Sequence, residues 1–136
     1  MRLLLATDGS DGALAAARFV AATFSQNVEI TLISVLRNPT EFFPDAAIAY
    51  NETAWHEEAA KYGQEVFAAT RAALGGREVA NEIFREGVPH AVLTEIAKHY
   101  DLVVVGKRRT PSLAKLVLGS VSQQLAHYLT VPLLIV

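Results

Sequence analysis

Four short apolar runs constrain this chain more than any other feature: Leu3-Leu4-Leu5-Ala6, Ile30 to Val35, Leu102 to Val105, and Leu133 to Val136. None alternates cleanly between apolar and polar residues. Continuously apolar strands are buried on both faces, which is the habit of a parallel sheet covered by helices on each side. A fifth segment, Glu78 to Arg85, mixes charges with Val79, Ile83 and Phe84 and reads as a weaker strand at a sheet edge.

Helical spacing fills the gaps. After Ser10, the residues Ala13, Leu14, Ala17, Ala21 and Phe24 fall on one helix face. Asn51 to about Leu74 is alanine-rich and charged, and reads as a longer helix ended by Gly75-Gly76. Pro89 suits a first helical position, where its missing N–H costs nothing, and Leu93, Ile96, Ala97 and Tyr100 follow it. After Gly119, the residues Val121, Leu125, Tyr128 and Leu129 mark a last helix face, and Ser120 with Gln123 fits a capping box. The order β-α-β-α-β-α-β-α-β predicts an α/β fold, a three-layer α/β/α sandwich with right-handed crossovers. Two connections are long, Arg37 to Tyr50 and Lys107 to Leu118, and long loops in compact domains are often functional.

Composition narrows the function classes. The 136 residues suit a single domain spanning 1–136, and with 51% hydrophobic and 19% charged residues the chain buries a core and is not disordered. Twelve Lys and Arg against 14 Asp and Glu give a net charge of −2, which predicts no general nucleic-acid binding. With no cysteine, disulfides, thiolate catalysis and Cys-ligated zinc are excluded, and a cytoplasmic setting is expected. No apolar stretch approaches the roughly 20 residues of a membrane span. Met1-Arg2 and three leucines are too short for a secretory h-region, so no membrane partner or leader is expected.

Ligands of open α/β sheets bind beyond the carboxyl ends of the strands, where strand order reverses. Thr7-Asp8-Gly9-Ser10, Val35-Leu36-Arg37 and Gly106-Lys107-Arg108-Arg109 follow strands, and Gly119-Ser120 opens a helix. A helix amino end attracts phosphate, and the Ser120 and Ser122 hydroxyls add donors; simple capping by Ser120 is the alternative. Gly106 admits either a ligand or a sharp turn. Asp8 either accepts hydrogen bonds from a base or ribose or builds a turn with Gly9. Lys107, Arg108, Arg109 and Lys115 either neutralise phosphate or form a solvated loop. Phe42, Phe43, Tyr50 and Trp55 either line the mouth of such a site or pack the long second helix. The four histidines have no ligand spacing, so neither a metal site nor catalytic residues are assigned. No G-x-G-x-x-G, Walker or G-x-S-x-G motif is present.

Taken together, Gly106 to Ser120 resemble the G-x2-G-x9-G-[S/T] signature of nucleotide-binding universal stress proteins, with Gly106, Gly119 and Ser120 in place and nine residues from Thr110 to Leu118. Leu3 to Ser10 resembles the family's first strand and its aspartate. Glu86-Gly87-Val88-Pro89 is similar to its third-helix start, and Thr130 to Val136 to its last strand. Arg109 replaces the second glycine, which either weakens binding or exchanges a backbone contact for a guanidinium. Pro111 stiffens the same loop.

The resemblance implies a five-stranded parallel sheet of order 3-2-1-4-5, adenine nucleotide alpha hydrolase-like, in a stress-response regulatory protein. It implies ATP, with magnesium, as ligand: Ala6, Thr7, Asp8 and Val35 toward adenine and ribose, and Gly106, Lys107, Arg109, Gly119, Ser120, Val121 and Ser122 toward the phosphates. A homodimer through the apolar C-terminal strand is expected, and enzymatic turnover is not. Two other readings stand beside this one. A family member whose Arg109 abolishes binding would act as a structural or signalling dimer without a cofactor. A flavodoxin-like enzyme or phosphoacceptor would need a hydroxyl-rich loop or clustered acids, and only Asp8 is so placed.

Overall fold

In the computed structural model, residues 1–38, 52–107 and 120–136 are described. Strand β1 covers Arg2–Ala6, β2 Glu29–Leu36, β3 Asn81–Glu86, β4 Leu102–Val105 and β5 Leu133–Ile135. Helix α1 covers Asp11–Thr23, α2 Glu52–Ala73, α3 Pro89–Ala97 and α4 Ser120–Tyr128. The strands form one sheet in the order β3-β2-β1-β4-β5, and every pairing is parallel. This is the expected α/β architecture, with β1 in the centre and β3 and β5 at the edges.

The continuous apolar runs are apolar because both faces of the sheet are covered. Leu3, Leu5, Ile30, Leu32 and Val104 pack with Ala16, Ala17 and Val20 of α1 and Phe67 of α2. On the opposite face, Leu4, Ile33, Val103 and Val105 pack with Leu93 and Ala97 of α3 and Leu125 of α4. Successive residues of each strand therefore serve opposite cores, as the two-residue strand period requires. The small residues of α1 let its axis approach the sheet closely.

Several local readings need correction. The buried face of α1 runs through Ala13, Ala16, Ala17 and Val20, with Ala21 and Phe24 only half-buried. Tyr128 is 54% exposed rather than part of the inner face of α4, where Ser122 and Leu125 are the buried residues. A small hydroxyl residue inside and an aromatic outside mislead any count of apolar spacing. Ser120 is the first described residue of α4, and the helix start adjoins residues outside the described ones, where the capping reading falls. Strand β3 begins at Asn81, three residues later than expected; the end of α2, by contrast, falls at Ala73 as expected, just before Gly75 and Gly76, both at positive φ (62° and 90°).

Candidate functional site

The turn after β1 is built from short side chains bonding to nearby main chain. The Gly9 N–H donates to Thr7 Oγ1 at 3.2 Å, and the Ser10 N–H donates to Asp8 Oδ1 at 3.0 Å. Ser10 Oγ accepts from the Ala13 N–H at 3.4 Å and so caps α1. Gly9 holds φ at 74°, a left-handed geometry that few other residues adopt. Asp8 is thus both exposed and partly committed to the turn, with Oδ1 engaged by backbone. Thr7 is buried, and its hydroxyl lies 2.8 Å from the Thr70 hydroxyl of α2. The Tyr62 hydroxyl donates to the Asp8 carbonyl at 3.3 Å. Burial, and then the Asp8 negative charge, push the Tyr62 phenol above its ordinary pKa, so it stays a donor.

At the end of β4, Gly106 is required by its neighbours. A Cβ on Gly106 would lie 2.2 Å from the Gly12 carbonyl oxygen, and a Cβ on Gly12 would lie 2.0 Å from that of Lys107. Two bare backbones, the first turn of α1 and the exit of β4, press directly on each other. Gly106 is thus neither a positive-φ turn nor only a ligand-facing gap. The Lys107 N–H donates to the Val136 carbonyl at 2.9 Å, which holds the exit against the residue that follows β5. The Lys107 residue itself is exposed.

Between these two exits and the amino ends of α3 and α4 lies a cleft of about 510 Å³. Every expected site residue that the structure describes lines it: Ala6, Thr7, Asp8, Val35, Gly106, Lys107, Ser120, Val121 and Ser122. Arg109 and Gly119 lie outside the described residues, as do Arg108, Pro111 and Lys115 of the same stretch. Ile33, Pro89 and Leu93 complete an apolar wall, and Arg37 and Ser10 add polar groups that the site reading had not included. The signal for Ile33 was available: it sits two positions before Val35 and so shares its face of β2. Among the described residues, the lining holds the cations Lys107 and Arg37 and the carboxylate Asp8. Among the described residues, no group of three His, Asp or Glu could hold a metal ion.

Trp55 does not line the cleft. Its Nε1–H donates to Glu86, whose other oxygen is 3.1 Å from His56 Nδ1. The pair ties the start of α2 to the end of β3, the packing alternative for this aromatic. Phe42, Phe43 and Tyr50 lie outside the described residues. No helix among the described residues is long and apolar enough to cross a membrane.

Comparison with known proteins agrees with this architecture. A model of the universal stress protein family matches residues 1–136. A universal stress protein of Mycolicibacterium smegmatis is 30% identical over 139 residues, covering 98% of this chain and 47% of the relative, so the chain spans about half that protein's length. A universal stress protein solved in complex with cAMP is 25% identical, with a TM-score of 0.61 over 100% of this chain and 95% of that one. A universal stress protein family protein of Arabidopsis thaliana, solved with AMP bound, shares the fold at 17% identity and a TM-score of 0.63, covering 100% and 90% of the two chains. With the strand order, the signature glycines and a match along its whole length, the chain belongs to the universal stress protein family.

Proposed function

We propose that this protein binds an adenine nucleotide, ATP first among them, in the cleft at the carboxyl ends of β1, β2 and β4, and acts as a stress-response regulator. The observation that carries the reading is that one cleft gathers an apolar wall, cations and a helix amino end at the point where strand order reverses. Its volume of about 510 Å³ suits a small-molecule site. Val35, with Ile33 and Leu93, forms a wall for adenine. Asp8 and the backbone of Ala6 and Thr7 offer hydrogen-bond partners to base and ribose. Lys107, the amino end of α4 and the Ser120 and Ser122 hydroxyls face the phosphates, beside Gly106 and Val121, and Arg109 and Gly119 extend that side by their positions in the signature. Because Asp8 is the one carboxylate of the described lining, magnesium would arrive on the triphosphate rather than on a protein ligand set. The relative solved with cAMP supports the adenine class of ligand. The role is binding in the cytoplasm, without turnover.

The partner of the chain in this reading is a second copy. Strand β5 is an apolar, half-buried edge, and two such strands pair about a two-fold axis into a closed dimer. Light scattering at micromolar concentration is expected to give twice the chain mass; a monomer contradicts the dimer.

A second reading has its own observation. Gly106 is demanded by Gly12 with or without a ligand, so its presence is compatible with a family member that binds no nucleotide and works as a structural or signalling dimer. Mass spectrometry of small molecules released from the denatured, freshly purified protein, followed by ATP titration, separates the two. Released adenine nucleotide or saturable ATP binding supports the first; neither supports the second.

A further inference from the structure

We propose that Thr70, a fully buried residue of α2 that lines no part of the cleft, is the positioning residue for the Asp8 turn. This rests on the reading of the cleft as an adenine-nucleotide site, in which that turn faces base and ribose.

Three residues of α2 spaced by four, Tyr62, Val66 and Thr70, lie on one stripe of the helix. Each meets a successive residue of the turn. The Thr70 hydroxyl lies 2.8 Å from Thr7 Oγ1. The Tyr62 hydroxyl donates to the Asp8 carbonyl, and Val66 Cγ2 sits 3.5 Å from where a Gly9 Cβ would be. One proton per hydroxyl fixes the direction of the buried bonds. Thr70 donates to the Val66 carbonyl at 2.8 Å, so the proton between the threonines belongs to Thr7. The Thr7 oxygen, its proton so directed, accepts the Gly9 N–H. The relay runs from Gly9 N–H to Thr7, to Thr70, to the Val66 carbonyl. It anchors the left-handed Gly9, and with it the facing of Asp8, to the interior of α2.

A valine at 70 keeps the shape and removes the acceptor. The Thr7 proton is then buried without a partner, its hydroxyl is no longer held in one orientation, and the Gly9 bond weakens. A serine keeps the relay. The experiment compares the parent, Thr70→Val and Thr70→Ser by amide hydrogen exchange without nucleotide and by calorimetric ATP titration well below the melting temperature. For Thr70→Val, the Gly9 amide is expected to exchange about tenfold faster and ATP to bind about tenfold more weakly, with Thr70→Ser near the parent in both. Unchanged Gly9 exchange in Thr70→Val would overturn the proposal, as would equal losses in the valine and serine variants. Loss of ATP affinity without faster Gly9 exchange would also overturn it.

A parent that binds no ATP would remove the nucleotide reading, while Gly9 exchange would still decide the relay. In the parent alone, the Thr7 and Thr70 hydroxyl protons are expected as slowly exchanging NMR signals, with a cross-peak from Thr7 to the Gly9 amide. Fast exchange of both would overturn the relay even if Thr70→Val did not fold.

Discussion

The two sides of the sheet are built from helices of different length. On one side, α1 and α2 have 13 and 22 residues; on the other, α3 and α4 have nine each. At about 1.5 Å per residue, α2 spans roughly 33 Å and each short helix roughly 14 Å. Of the long pair, α2 holds the turn after β1 through Tyr62, Val66 and Thr70. The short ones begin at the cleft, where Pro89 of α3 and Ser120 to Ser122 of α4 line it. Among the described residues, the two sides thus serve the cleft differently: α2 fixes the turn after β1, and α3 and α4 bring their amino ends to the lining.

Core truncation should separate the two sides most strongly. Leu5 is fully buried against α1 and α2, so Leu5→Ala is expected to cost about 4 kcal/mol in urea unfolding. Leu93 borders the cleft, so Leu93→Ala is expected to cost about 2 kcal/mol and to weaken ATP binding as well. Equal costs for the two would remove the contrast in packing.

Next in size is the contact that joins the two sides at the cleft. Gly12→Ala places a methyl against the Lys107 carbonyl and is expected to cost about 2–3 kcal/mol, while also displacing Lys107 and lowering ATP affinity. Gly63→Ala is the control on the closed side, where the new Cβ would lie 2.7 Å from the Phe84 ring. It is expected to lower stability and leave ATP affinity of the folded protein unchanged.

A smaller effect of opposite sign is expected within β2. Thr31 Oγ1 is buried with no hydrogen-bond partner among the described residues, so Thr31→Val should raise stability by about 1 kcal/mol. The smallest effect lies on the surface of α3. The bond from Lys98 to Glu95, and then the Lys98 charge, hold the Glu95 carboxyl below its ordinary pKa of 4.5. A lowered folded pKa contributes stability that is present above the ordinary value and is lost as pH falls through the lowered one. Glu95→Gln should therefore flatten the acid limb of the stability profile slightly and leave the rest in place.

The fold was legible because a strand buried on both faces must be apolar throughout, so Leu3 to Leu5 and Val103 to Val105 announce themselves. The site residues on strand ends were legible for a related reason: a parallel sheet brings all carboxyl ends to one rim. The collision of Gly12 with Lys107 was not, since it depends on how closely a poly-alanine helix face can approach a sheet. Nor was the Tyr62-Val66-Thr70 stripe, because a threonine in an alanine-rich helix looks neutral until its neighbour across space is known. Tyr128 was misread inward because apolar spacing alone does not tell a rim aromatic from a core one.

The central claim is that the open rim binds an adenine nucleotide, and an ATP titration followed through backbone amide shifts tests it residue by residue. The account predicts saturable shifts at Ala6, Asp8, Val35, Gly106 and Ser120 to Ser122, with the buried amides of Ala16, Ala17 and Val20 in α1 and Phe67 in α2, which lie off the cleft, unmoved. Saturable shifts confined to other surfaces, or none at millimolar ATP, would contradict it.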